Sequence, residues 1–274
     1  MPKRERGKKS PCMYCGDPAN TVEHIIATWI IDVLSQDPRG LRLPTKFSWT
    51  DPRSREVRRM VGKTTKKGKP TLEFTTQVCS ECNSGWMNNI DEAVRPALTS
   101  MIRGADTELT EVDQAAVATW ATKVTLTARH AYVTPAHIEK EWTDYLHSHK
   151  TALPFWNVWI ARYRGRWPIH YAPDDVSVRL LPGPPGVYPS PAVIAGPPGP
   201  VLFEHGVMAT LAIGYLLVQV FGFSGEAEPV VPDPAMIQRI WPKASSPTLL
   251  RWPAAPDIDD STLQRLTDRL KPPR

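Results

Sequence analysis

Val78-Cys79-Ser80-Glu81-Cys82-Asn83-Ser84-Gly85-Trp86-Met87-Asn88-Asn89-Ile90-Asp91 is the stretch whose reading decides the fold. It sets two cysteines at C-x-x-C spacing directly ahead of Asn83, and from there Trp86, Ile90, Val94, Ala97 and Met101 recur at helical spacing. A helix is therefore expected from near Asn83 toward Gly104, kinked or broken at Pro96, which removes an internal backbone donor. Ahead of it, Thr71 to Val78 alternates, with Leu72, Phe74 and Thr76 on one side and Glu73, Thr75 and Gln77 on the other. That pattern predicts a strand running into Cys79.

The other two cysteines lie upstream in Cys12-Met13-Tyr14-Cys15, followed by Gly16-Asp17-Pro18. Such a knuckle aims two thiolates at one ion. Two C-x-x-C pairs, separated by residues 16 to 78, fit a tetrahedral four-thiolate site for structural zinc, which leaves the metal no open position and so stabilises rather than catalyses. Cysteines used in this way, behind the polar opening Met1-Pro2-Lys3-Arg4-Glu5-Arg6, lead us to expect a reducing cytoplasmic setting and no export signal.

Between the pairs, Thr21 to Ile26 has extended character and carries Glu23-His24, and Trp29, Ile30, Val33 and Leu34 then fall at helical spacing. Phosphodiester hydrolysis needs a base for water, which an imidazole supplies near neutral pH, and a hard divalent cation held by oxygen ligands. His24, Glu23 and Asn83 are the candidates. Strand alternation places Glu23 and His24 on opposite faces unless the strand ends or bulges there, so the fold must bring the three together.

Cys12-x-x-Cys15, Glu23-His24-Ile25-Ile26 and Cys79-x-x-Cys82-Asn83 together resemble the zinc-containing branch of the HNH endonucleases, the ββα-metal or His-Me finger family. Cys82-Asn83-x-Gly85-Trp86-Met87 is similar to a subgroup of bacterial and phage members with a long downstream region. The resemblance covers roughly residues 12 to 95. It implies a metal-dependent endonuclease acting on DNA, phage-encoded or part of a defence system. His24 would be the general base, Glu23 and Asn83 ligands of a catalytic Mg2+ or Mn2+, and Cys12, Cys15, Cys79 and Cys82 ligands of structural Zn2+. The chain departs from the family pattern in having Ala27-Thr28 where a proline is common, Phe74 at the usual middle-asparagine position and Met87 where a histidine follows at helical spacing. Thr75, Thr76, Gln77 or a main-chain carbonyl is available to substitute for the middle asparagine. Asn88 and Asp91 are the polar candidates after Asn83, each open as a third ligand or a cap, with a structural role favoured for both. These departures support an alternative, a catalytically decayed zinc-stabilised nucleic-acid-binding module.

Composition agrees with an anionic partner at one end. Residues 1 to 69 hold 16 Lys/Arg against 7 Asp/Glu, leaving 17 against 21 for the remainder. Clustered cations replace condensed counterions on phosphates, so DNA is the expected partner, with RNA also open. The basic segment 50 to 70, rich in Arg53, Arg55, Arg58, Arg59, Lys63, Lys66, Lys67 and Lys69, suits that contact. The apolar content of 41 % and 274 residues suffice for a sizeable core interrupted by 29 prolines.

An α+β fold is expected, with a disordered basic tail at 1–10, a small zinc-stapled ββα-metal unit at 11–104 and a larger mixed region at 105–274. That region has no assigned role and is available for target choice or a homodimer interface. It should hold helices at 111–133, entered from Thr110, and at 136–149, strands at 155–163, 176–181 and within 206–223, and a last helix at 259–270 capped by Asp259 or Asp260. The uncharged run Gly206 to Gly225 is read as buried strands, a strand pair, because of its glycines and β-branched residues, and no membrane contact is expected. Most of the tryptophans are read as core, and His147 and His149 as surface imidazoles.

Overall fold

The computed structural model describes residues 10–36, 46–50, 57–64, 70–72, 75–132, 138–166, 168–180, 202–223, 235–242, 248–254 and 256–268. The tail at 1–9, Phe74, Trp167 and the proline-rich stretch 181–200 lie outside these residues. So do Arg53, Arg55, Lys66, Lys67 and Lys69 of the basic segment.

Strand β1 (Thr21–His24) is followed by helix α1 (Thr28–Leu34) and by three short strands, β2 (Lys46–Thr50), β3 (Val57–Thr64) and β4 (Pro70–Leu72), that form a sheet in the order β2-β3-β4. The basic residues Arg58, Arg59 and Lys63 lie along β3. The expected single strand from Thr71 to Val78 is in fact two: β4 pairs with β3, while β5 (Thr75–Val78) pairs antiparallel with β1. The alternation of hydrophobicity continues across both strands, so it gives no sign that the chain changes partner between Leu72 and Thr75.

After β5 the chain enters a helical turn α2 (Ser80–Cys82), a π-helical turn at Asn83–Met87 and helix α3 (Asn88–Ile102). The irregularity sits at Gly85, whose φ of −93° and ψ of −111° are non-helical, and not at Pro96, around which α3 continues. Pro96 is on the exposed side of α3, where water can hydrate the carbonyl left without an internal donor.

Strand β6 (Thr107–Thr110) leads into the long helix α4 (Glu111–Tyr132). Thr110 and Asp113 close a reciprocal cap: the Asp113 amide donates to Thr110 Oγ1 at 3.3 Å and the Thr110 amide to Asp113 Oδ2 at 2.9 Å. Helix α5 (Lys140–His149) is shorter at its start than the expected 136–149. Beyond it, β7 (Asn157–Arg162), β8 (Ile169–Leu180), β9 (Leu202–Ile213), β10 (Leu216–Phe223) and β11 (Gln238–Trp241) form an antiparallel sheet in the order β11-β7-β10-β9-β8. The run from Gly206 falls on the hairpin β9-β10, the buried strand pair expected. Among the described residues no helix is long and apolar enough to cross a membrane. Strand β12 (Leu249–Trp252) pairs with β6, and α6 (Asp260–Asp268) closes the chain, with Asp259 Oδ1 accepting from the Thr262 amide at 2.8 Å.

Every pairing between these strands is antiparallel and the helices are not crossovers between parallel neighbours, as an α+β fold requires. Helix α4 is central: it lies against α3, β5, β6, β10 and β11. From Val117 to Arg129 every residue of α4 is buried, and one apolar cluster runs from Cys12 and Ile25 through Val94, Trp120 and Val124 to Val218 and Trp252. The expected junction at 104/105 therefore falls inside a single core. A second cluster, around Trp159, Met208, Phe221 and Leu263, fills the other face of the large sheet beneath α6.

Candidate functional site

The four cysteines converge. Their sulfur atoms all lie within 4.8 Å of one another, with Cys15 Sγ and Cys79 Sγ 3.4 Å apart. A tetrahedral ion with metal–sulfur bonds of about 2.3 Å spaces its thiolates about 3.8 Å apart, so the set can hold a metal ion. Local sequence explains both halves. The Gly16 amide donates to Cys12 O at 2.9 Å with Gly16 at φ +82°, a left-handed turn that glycine adopts without strain. Across from it, Cys79 caps the helical turn: its sulfur accepts from the Cys82 amide at 3.3 Å, which fixes the second pair at the start of the helix.

Cys12, Cys79 and Cys82 are buried and Cys15 is exposed. Burial pushes the Cys82 thiol up to about 11 and raises Cys15 as well, neighbouring thiols adding to the latter. Burial also works against the Cys12 thiolate, but backbone groups at Cys79, Cys15 and Tyr14 outweigh it and lower its pKa. Beside the thiols stands Trp86, edge-on to Tyr14 at 4.9 Å, with Lys150 Nζ 4.6 Å over its ring and His147 at 5.9 Å. The end of α5 thus lies against Trp86.

Strands β1 and β5 pair with Glu23 opposite Thr76 and His24 opposite Thr75, and the helical segment starting at Ser80 follows β5. Asn83 binds β1 directly: its Nδ2 donates to Thr21 Oγ1 and to Val22 O, each at 3.1 Å. Thr21 and Glu23 share a face of the strand by alternation, so Asn83 and Glu23 come to the same side. Asn83 Oδ1 carries no hydrogen bond among the described residues. His24 is the last residue of β1, half-buried, and alternation turns it toward the side of Val22, which is 54 % exposed. Its cross-strand neighbour Thr75 is one of the three residues considered as substitutes for the middle asparagine.

The structure adds a residue that motif reading missed. Lys123, from the middle of α4, has a side chain only 1 % exposed, and its Nζ lies 2.7 Å from both oxygens of Asp91 and 3.2 Å from Glu23 Oε1. Asp91, one of the two polar residues the sequence offers after Asn83, is thus paired with Lys123. Burial holds the carboxyls of Glu23 and Asp91 above their ordinary range, with the Lys123 charge pulling the other way. One turn further along α4, Thr127 donates to Lys123 O and therefore accepts from Tyr14, at 2.9 Å. This ties the first cysteine knuckle to the same helix. Lys123 had a visible signal: it is the one charged residue between Asp113 and Arg129.

No family model, curated protein or solved structure matches the chain.

Proposed function

We propose that the protein is a metal-dependent endonuclease that hydrolyses DNA phosphodiester bonds, with a structural zinc ion on Cys12, Cys15, Cys79 and Cys82. One observation carries this reading: a four-thiol frame encloses an antiparallel strand pair followed by a helix, with Glu23, His24 and Asn83 on or against β1. Four converging thiols on two turns suit zinc, and they leave such an ion no open position for chemistry.

The donors on the common face of β1 suit a hard cation. Glu23 gives one oxygen to Lys123 and keeps the other, and Asn83 keeps its carbonyl oxygen. Mg2+ or Mn2+ bound there would offset the charge developing on a scissile phosphate. His24, at the strand end, takes the proton from the attacking water, a task its ring performs when neutral. Thr75, its cross-strand partner, is the residue we assign to orient that ring. The basic β3 and its flanking segment provide cations for the DNA backbone.

Purified protein incubated with supercoiled plasmid and Mg2+ or Mn2+ should give nicked or linear DNA, and His24→Ala should abolish the product. Cleavage that persists in that variant sinks the assignment.

Two observations favour a second reading, a zinc-stabilised nucleic-acid-binding module without activity: Lys123 already engages Glu23, and alternation turns His24 away from the Glu23 face. That reading predicts salt-sensitive DNA binding with no cleavage under either ion.

A further inference from the structure

The Lys123 ammonium is shared unequally. Both Asp91 oxygens lie 2.7 Å from it, whereas Glu23 meets it through Oε1 alone at 3.2 Å. Among the described residues no hydrogen bond or ion pair reaches the second oxygen of Glu23. Two carboxylates against one ammonium leave one negative charge over, and the distances assign the neutralised pair to Asp91 and Lys123. Lys123 cannot swing away, because its side chain is buried on a helix packed against both α3 and β5.

We propose that Asp91 and Lys123 form a positioning pair that acts through Glu23: Lys123 fixes the carboxylate by one oxygen, and Asp91 neutralises Lys123 so that the other oxygen and its charge remain for a divalent cation. The inference rests on the nuclease reading above and deepens it. Supporting groups that orient a ligating carboxylate change metal affinity by about 10- to 100-fold when removed. It also gives the region after residue 104 a part in the site, since Lys123 reaches Glu23 from α4.

The test titrates Mn2+ against the full chain, its cysteines loaded with zinc, and follows free Mn2+ by electron paramagnetic resonance. Melting temperature and zinc content are checked for each variant. Glu23→Gln should abolish the binding. Asp91→Asn, which throws the whole Lys123 charge onto Glu23, should weaken Mn2+ by about tenfold or more. Adding Lys123→Gln to Asp91→Asn should restore affinity to within a few-fold of the parent, a recovery that a purely structural role for Asp91 does not produce. Lys123→Gln alone, which keeps an amide donor for Glu23 while leaving the Asp91 charge unneutralised beside it, should bind Mn2+ more tightly than the parent, and it carries the test if Asp91→Asn does not fold. Binding that depends on Glu23 but ignores Asp91→Asn and Lys123→Gln overturns the positioning pair and leaves the nuclease reading standing. A parent that binds no Mn2+ while Lys123→Gln does shows that the ammonium fills the cation's place, which also overturns the pair. Binding indifferent to Glu23→Gln, or no binding in any form, removes the cation site of the nuclease reading and the pair with it.

Discussion

Replacing Lys123 by methionine tests the buried ion cluster as a source of stability, separately from any activity. Methionine keeps most of the volume and the apolar stem, so little cavity forms and the lost ammonium dominates. What remains is Glu23 and Asp91, with side chains 8 % and 12 % exposed, facing a position that no longer carries a counter-charge. Removing one partner of a buried pair costs about 3–5 kcal/mol, and that is the expected loss at about pH 7.5. Both carboxyls already sit above their ordinary pKa through burial, and losing Lys123 raises them further. A carboxyl whose folded-state pKa is raised contributes stability below its unfolded value and loses it as pH rises through the folded value. The deficit should therefore shrink as pH falls toward the ordinary carboxyl range. Urea unfolding followed by tryptophan fluorescence measures it. Adding Glu23→Gln and Asp91→Asn should recover most of the loss at the higher pH. A Lys123→Met loss under about 1 kcal/mol, the scale of an exposed pair, would refute the argument. So would a loss that does not change with pH.

Other consequences are independent of that cluster. Chelation, or Cys82→Ser, should lower the melting temperature and weaken the packing of Trp86 and Tyr14. Because Cys82 and Cys15 hold their protons, metal uptake should release protons and weaken as pH falls, which titration in buffers of different ionisation enthalpy detects. Gly222→Ala should cost about 1–3 kcal/mol by thermal or urea unfolding, because an added Cβ would lie 2.3 Å from the Trp156 ring. Asp259, at the start of α6, has its pKa lowered to about 2, first by the Thr262 amide and then by the Thr262 and Ser261 hydroxyls. Its contribution to stability should be fully present above the ordinary carboxyl range and lost as pH falls toward 2, and carboxyl NMR of wild type against Asp259→Asn checks this.

The sequence shows the features that depend on short-range spacing. Two C-x-x-C pairs announce a four-thiol cluster across a long gap because few other arrangements use them, and Thr110 with Asp113 marks the start of α4 through local capping chemistry. The hairpin from Gly206 is legible from its glycines and β-branched residues. Partner choice is not written locally. Nothing between Thr71 and Val78 shows that β4 joins β3 and β5 joins β1, and the core that spans residue 104 depends on α4 packing against elements from both ends of the chain. Lys123 lies one hundred residues from Glu23 in sequence, so only the fold reveals their contact, although an isolated charge in the otherwise uncharged middle of α4 marks it as a residue to explain.

The account rests on His24 acting as the base for phosphodiester hydrolysis beside a divalent cation. The direct measurement is supercoiled plasmid cleavage by zinc-loaded protein in Mg2+ or Mn2+, comparing wild type, His24→Ala and Glu23→Gln at equal folded concentration. The account predicts nicked or linear DNA from wild type and no product from His24→Ala or Glu23→Gln. Binding of DNA without cleavage by wild type under either ion, or equal cleavage by His24→Ala, would contradict it.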